Sequence, residues 1–423
     1  MTTHTVSGLE PCVHCGFCLQ SCPTYLATGD EADSPRGRIV LMQSLARRGS
    51  AIHQSRLAYH LDRCLGCLGC EPACPSGVDY GGALEEVRAL IAGSRPPPLT
   101  VRAVNIVMAD RRLRDPLMLF ARWLRPAAHL LSGKSRLGFA WGMLAATRDR
   151  LRTMNSRRRP VRGGNGAAGA VPDPKRDRPV ALLTGCIMDG LFSHVHAATR
   201  RTLDANGYSV IDVPQQTCCG ALHAHTGEHD RALELARQNV AAFADHPDCL
   251  IAVDSAGCGA MLKTYGRLLQ DDPLASEATA LSERVRDVSE LLAALGPRIG
   301  KAVSLRVAYD PPCHLLHAQR IATAPLELLE SIPGVEVVHH RDAALCCGSA
   351  GSYSLTELQL SRAVLSQKIA ALLAAAPDLV ATGNPGCIMQ IGAGLAAAGY
   401  EIPVVHPIEI LDRSYELAGF YDR

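Results

Sequence analysis

The 423-residue chain has no run of 18 or more apolar residues, so no part of it is expected to cross a bilayer, and any membrane contact must be peripheral. Its charge nearly cancels, with 43 Lys and Arg against 41 Asp and Glu and a net of +2; a polyanion finds no general attraction here, and no nucleic-acid partner is expected. No G-x-G-x-x-G opens a helix after a strand, and there is no P-loop. The glycine-rich stretch from Gly163 to Gly169 falls in a linker, so the chain lacks what a self-sufficient dinucleotide-dependent dehydrogenase needs. Met1 to Leu9 contain neither a basic cluster nor an apolar stretch, and no signal peptide is expected. What is plentiful is cysteine. Seventeen thiols point to a reducing, cytoplasmic compartment, and the length allows two or three domains with their own cores.

Eight of those cysteines form two runs 52 positions apart. The first reads Cys12-Val-His-Cys15-Gly-Phe-Cys18-Leu-Gln-Ser-Cys22-Pro23, the second Cys64-Leu-Gly-Cys67-Leu-Gly-Cys70-Glu-Pro-Ala-Cys74-Pro75. Each is the bacterial ferredoxin run, three cysteines at three-residue steps and a fourth before proline. A [4Fe-4S] cube needs four thiolates at tetrahedral corners, and one short loop supplies three; the fourth must come from elsewhere, and in two-cluster ferredoxins it comes from the other run, whose last cysteine opens a helix near the opposite cube. Cys12, Cys15, Cys18 and Cys74 are therefore assigned to one cluster, and Cys64, Cys67, Cys70 and Cys22 to a second. A disulfide framework or a zinc site would explain eight cysteines, but neither predicts the doubled run with its prolines. Gly16, Gly66 and Gly69 suit a backbone that must bring amides close to sulfur, and His14 reads as a neighbour that tunes potential through a hydrogen bond.

Residues 1–95 read as an α-helical, ferredoxin-like two-cluster module, with an amphipathic helix over 37–46 between the runs and Pro96 to Pro98 closing it. Residues 96–178 read as a basic helical connector and flexible linker. Between 101 and 160 stand 14 Arg and Lys against three acidic residues, with Leu, Met, Phe and Trp interleaved. Either this is a basic amphipathic surface for anionic lipid or an acidic subunit, or it is a connector whose apolar face packs on its own domain. The stretch from Arg157 to Arg178 has a linker's composition.

The remainder is duplicated, residues 179–300 and 301–423. Cys186, the pair Cys218-Cys219-Gly220 and Cys258 recur as Cys313, the pair Cys346-Cys347-Gly348 and Cys387, at offsets of 127, 128 and 129 residues. Apolar runs at 180–183, 208–213 and 250–253, matched by 305–308, 335–338 and 378–381, predict strands. Helical segments at 230–244 and 356–374 lie between them, so two α/β domains with largely parallel sheets are expected. The repeated cysteines fall at or after strand ends, where open α/β sheets collect ligands. Four in each half could therefore converge, and Cys249, which has no counterpart, reads as a small buried residue. Three occupants are open: a further iron-sulfur centre, a zinc ion, or packed, reactive thiols alone. Adjacent cysteines straddle a cluster more easily than a single ion, which favours iron-sulfur. His223, His225, His314 and His317 crowd these motifs and read as packed or hydrogen-bonded neighbours, not ligands.

This layout, a ferredoxin pair followed by two CCG domains, resembles the iron-sulfur subunits of flavin-linked dehydrogenases, and among them most nearly the glycolate oxidase iron-sulfur subunits. The resemblance rests on the two cysteine runs and on Ser34-Pro-Arg-Gly-Arg-Ile39, His60-Leu-Asp-Arg-Cys64, Ser255-Ala-Gly-Cys-Gly-Ala260, His317-Ala-Gln319 and Leu345-Cys-Cys-Gly-Ser-Ala-Gly351. It implies an electron-transfer subunit of a membrane-associated glycolate oxidase complex. FAD-bearing flavoprotein subunits would oxidise glycolate, or D-lactate, and electrons would pass toward a quinone or another acceptor at the inner face of the cell membrane. Substrate oxidation then lies on partner subunits and no catalytic residue is assigned to this chain. Iron-sulfur subunits of lactate and glycerol-3-phosphate dehydrogenases share the layout, as do heterodisulfide reductases acting on thiols and disulfides. The last group carries a closing C-x2-C in each CCG domain for a noncubane cluster. This chain has Ser255 and Asn384 there, so that cluster is not carried over.

Overall fold

The computed structural model describes residues 6–48, 54–151 and 178–422, so the linker composition at 157–177 lies outside the described residues. The N-terminal module is helical: α1 (Pro23–Thr28), α2 (Pro35–Arg48), α3 (Gln54–Asp62) and α4 (Tyr80–Ser94) surround the two cysteine loops. Leu9, Met42, Leu61, Leu84 and Val87 fill its core. Cys22 is the N-cap of α1 with Pro23 in its first turn, where a missing N–H costs nothing. Cys74 differs from expectation. It opens no helix; Gly77, at φ 66°, carries the chain through a left-handed turn, and Asp79 then caps α4 by accepting from Gly82 N.

Two four-stranded parallel sheets follow, with orders β2-β1-β3-β4 and β6-β5-β7-β8. The first uses β1 (Arg178–Leu182), β2 (Tyr208–Ile211), β3 (Leu250–Val253) and β4 (Val285–Asp287). The second uses β5 (Leu305–Tyr309), β6 (Val335–Val338), β7 (Leu379–Ala381) and β8 (Val404–Val405). Identical orders establish the duplication in space. β7 is buried at every position and β3 at all but its first, as strands covered by helices on both faces must be. The architecture is thus a helical ferredoxin-type module followed by two α/β cysteine-rich domains.

The segment joining these parts forms α5 (Leu99–Ala109), α6 (Arg111–Leu131) and α7 (Arg136–Ala145). Met108, Met118, Phe139 and Leu151 enter the same core as Val180, Leu182, Ile391 and Leu395, and a Cβ on Gly142 would stand 3.2 Å from Ala393. Described residues of the connector are therefore seated on the cysteine-rich pair. The two halves also lock together: Arg201 Nε and Nη2 donate to the two carboxylate oxygens of Asp412 at 2.9 and 2.7 Å, and Ala256 N donates to Gly383 O at 3.0 Å.

Candidate functional site

The two N-terminal loops wind alike. His14 and Gly66, at equivalent positions of the two runs, have φ 55° and 61°, and Gly16 and Leu68, two residues on, have φ 86° and 59°. Alternation into the left-handed region turns successive amides inward, the arrangement that surrounds anions with N–H donors. Two adjacent cavities result. One, about 430 Å³ of empty space, is lined by Cys12, Cys15, Cys18 and Cys74 together with Arg36 and Ile39. The other, about 300 Å³, is lined by Cys22, Cys64, Cys67 and Cys70 with Arg38 and Thr24. Each cavity thus gathers three cysteines of one run and the last cysteine of the other, and Cys70 and Tyr80 line both.

Four thiolates in one cavity are a concentrated negative charge, and the second cavity has the means to hold it. Arg38, fully buried, donates to the His60 carbonyl at 2.8 Å and to Thr24 Oγ1 at 3.1 Å, with its Nη1 3.9 Å from Cys22 Sγ. Asp33 anchors it at 3.4 Å and is itself held by Arg63 at 2.9 Å. Cys64 Sγ accepts from Tyr80 Oη at 3.5 Å and from Gly66 N at 3.4 Å. Burial opposes ionisation of Cys64, but Arg38 and Arg88 with these two donors outweigh it and hold the thiol below its ordinary value. Cys67 and Cys70 have no such cation, and burial pushes both well upward. Asp33, Arg38, Arg63 and Tyr80 were not singled out from sequence as site residues. The stretches around Arg38 and Arg63 carry the family resemblance, but nothing local says that these side chains turn inward. His14 Nδ1 lies 4.0 Å from Cys12 Sγ, at the edge of hydrogen-bond reach.

In each cysteine-rich half the four repeated cysteines come together in a linked series, with Cys218 also in contact with Cys219 and Cys346 with Cys347. Cys218 donates to Cys186 at 3.6 Å, and Cys219 is hydrogen-bonded to Cys258. In the second half Cys313 and Cys346 lie 3.9 Å apart, and Cys347 and Cys387 lie 3.4 Å apart. Thiolates around one zinc, with Zn–S near 2.3 Å, would all be about 3.8 Å apart. Among the described residues no three cysteine sulfurs lie within 4.8 Å of one another, so each half holds an open series of four and not a closed tetrahedral set. Asn384 stands between the halves: its Nδ2 donates to Cys387 Sγ at 3.5 Å while its Oδ1 accepts from Gly257 N at 3.1 Å. His317 Nε2 donates to Ala344 O at 2.8 Å, and the His225 ring lies 5.4 Å from that of His314. Burial and Arg88 push His225 down to about 4, so it is neutral near pH 7. Cys249 is buried, as an ordinary small residue is.

The second cavity adjoins the second half. Leu65 and Cys67 pack in one apolar cluster with Cys313, Cys346, Tyr353 and Val364, and Tyr353 Oη donates to Arg63 O at 3.0 Å. Three groups of cysteines therefore stand in a row, the first facing solvent at Cys15 and the last enclosed.

Fold and cysteine pattern define an iron-sulfur protein of ferredoxin-plus-cysteine-rich layout. The family model of a 4Fe-4S dicluster domain matches residues 8–78, and that of a cysteine-rich domain matches twice, at 180–263 and 307–392. The chain is 36% identical to the "probable glycolate oxidase iron-sulfur subunit" of Bacillus subtilis, over 96% of this chain and 94% of that one. It is 33% identical to the glycolate oxidase iron-sulfur subunit of Escherichia coli, over 97% and 95%. Lactate utilization protein A of Geobacillus kaustophilus is 31% identical over 55% of this chain and 98% of its own length. The chain belongs to the family of glycolate oxidase iron-sulfur subunits.

Proposed function

We propose that this chain is the electron-transfer subunit of a glycolate oxidase complex, receiving electrons from flavoprotein subunits that oxidise glycolate and passing them toward a membrane acceptor such as a quinone. The observation that carries this reading is the row of cysteine groups from exposed Cys15 through Cys67 to Cys313 and Cys346. Cys12, Cys15, Cys18 and Cys74 would hold one [4Fe-4S] cluster and Cys64, Cys67, Cys70 and Cys22 the other. Such clusters supply one-electron redox capacity, which suits a partner flavin that takes two electrons from its substrate. Arg38, Tyr80 Oη and the Gly66 amide stabilise charge on the inner cysteine set, and burial keeps water from it. The repeated cysteines, in an open series of four in each half, are read as a further iron-sulfur centre in preference to zinc.

The test is anaerobic. The chain is purified with its accompanying flavoprotein, and glycolate, D-lactate and glycerol 3-phosphate are added separately while iron-sulfur absorption is followed. Bleaching by glycolate is expected. Bleaching only by another of these substrates moves the chain to a sister dehydrogenase, and bleaching by none, with clusters intact, favours a thiol-disulfide enzyme. In the same complex Cys67→Ser should abolish acceptor reduction and leave flavin reduction by substrate intact; surviving acceptor activity would overturn the relay. Iron analysis separates the remaining choice, with about eight irons for two cubes and more if the repeated cysteines bind a cluster.

A further inference from the structure

Helix α6 is seated by one face and bare on the other. Arg114, Met118 and Ala128 are buried, Met118 packs on Gly190 of the first cysteine-rich domain, Arg114 pairs with Asp189 at 3.4 Å, and Arg125 Nη2 donates to Leu191 O at 2.6 Å. The opposite face holds Leu113, Leu119, Phe120, Trp123 and Leu130, between 48% and 84% exposed. Phe120 and Trp123 stack at 6.1 Å between ring centroids, and Pro116, Leu119, Phe120, Arg122 and Trp123 line a wide, shallow recess. A single exposed leucine needs no explanation, whereas five large apolar side chains on one helix face form a patch that a partner must cover.

We propose that this face of α6 docks on the headgroup region of an anionic lipid leaflet, with the helix lying in the plane of the surface. Charge decides the occupant. The helix carries five arginines against Asp115 alone, and with Arg114 and Arg125 turned inward and Arg111 paired with Asp115 at 3.3 Å, exposed Arg112 and Arg122 remain beside the apolar band. Lys134, Arg136 and exposed Leu137 continue the same composition beyond its end. An apolar band with Trp and Phe at its centre and cations along its edges matches a negatively charged plane over a hydrocarbon interior. No helix among the described residues is long and apolar enough to cross a membrane, so the contact is interfacial. The proposal is independent of the relay reading, because binding needs neither substrate nor flavoprotein.

The full-length chain is floated with vesicles of phosphatidylcholine alone or mixed with phosphatidylglycerol. Binding is expected with the mixed vesicles, falling as salt rises. Trp123→Glu with Phe120→Glu should weaken binding about tenfold or more, with an unchanged far-UV circular dichroism spectrum because both side chains are exposed. Arg112→Glu with Arg122→Glu should weaken it on the charged vesicles. In a Trp141→Phe background, which leaves Trp123 as the sole tryptophan, brominated acyl chains should quench its fluorescence. Absence of binding to either vesicle, wild-type binding by the Trp123 and Phe120 variant, or no quenching would each overturn the proposal; if the same face instead binds purified flavoprotein without lipid, the occupant is protein and the proposal fails.

Discussion

The two cysteine-rich halves share a backbone and differ in where they bury charge. Leu183 N donates to Ala252 O at 2.9 Å, and its counterpart Asp310 N donates to Ala381 O at 2.9 Å. In the first half a buried carboxylate, Asp254, lies just after β3 and takes His196 Nδ1 at 2.7 Å and Thr199 Oγ1 at 2.8 Å. The position equivalent to Asp254 is Gly383. In the second half a buried carboxylate lies instead after β5: Asp310 is paired with Lys368 Nζ at 2.7 Å, with both side chains 2% exposed. Lys368 also donates to the Asp342 and Ala343 carbonyls at 3.1 and 2.9 Å, bracing the chain that leads into Cys346. At its counterpart in the first half, Asn239 does the same work without charge, donating to Cys218 O and accepting from Thr217 N. The hydrogen-bonded frame is common to both halves, but one cysteine loop is braced by an amide and the other by an ammonium.

Breaking the second brace should cost most. Lys368→Met strands the Asp310 carboxylate in the core, and a loss of about 3–5 kcal/mol is expected in urea unfolding. Converting the pair to the first half's residues, Asp310→Leu with Lys368→Asn, should recover most of that loss, because no unpaired charge is then buried. A loss below about 1 kcal/mol for Lys368→Met would remove the ion pair from the account of the loop. Asn239→Ala should cost less, about 1–3 kcal/mol, since the groups it leaves unpaired are neutral.

A pH dependence should belong to the first half. Burial lowers the pKa of His196, but the Asp254 carboxylate and the Thr184 carbonyl outweigh it, and the imidazole titrates above its ordinary 6.5. Burial likewise opposes the charge on Asp254, yet His196 and Thr199 hold it below its ordinary 3.8. The His196 contribution is fully present below pH 6.5 and is lost as pH rises through the raised value; that of Asp254 is present above 3.8 and is lost as pH falls through the lowered one. His406 nearby is pushed down to about 4 by burial and stays neutral across the upper window. Wild-type melting temperature should therefore fall from pH 6 to 9 more steeply than that of His196→Gln, and parallel curves would dismiss the pair as the source. The smallest effect is expected at Asp212, which meets Arg200 in an exposed ion pair: Asp212→Asn should change stability by no more than about 1 kcal/mol.

Much of this was legible in the sequence. Six of the eight strands lie where apolar runs predict them, and the helix expected over 356–374 is observed as Leu358–Ala374. β4 and β8 were missed because three and two residues are too short to show any period. The interleaved gathering of the N-terminal cysteines was legible from the doubled ferredoxin run, because one loop cannot reach a fourth corner and two-cluster ferredoxins supply it from the other run. The brace formed by Asp33, Arg38 and Arg63 does not follow, because charged residues read as surface until a fold shows them enclosed.

By itself the sequence determined the iron-sulfur character of the chain and its duplicated frame, because cysteine spacing and strand alternation are local properties. Only the tertiary structure decided that Cys67 packs with Cys313 and Cys346, that Asn384 bridges the two halves, and that α6 turns Trp123 outward. Those outcomes depend on how separately folded elements bury their remaining apolar surface against one another, and residues hundreds of positions apart become neighbours only when that packing is complete.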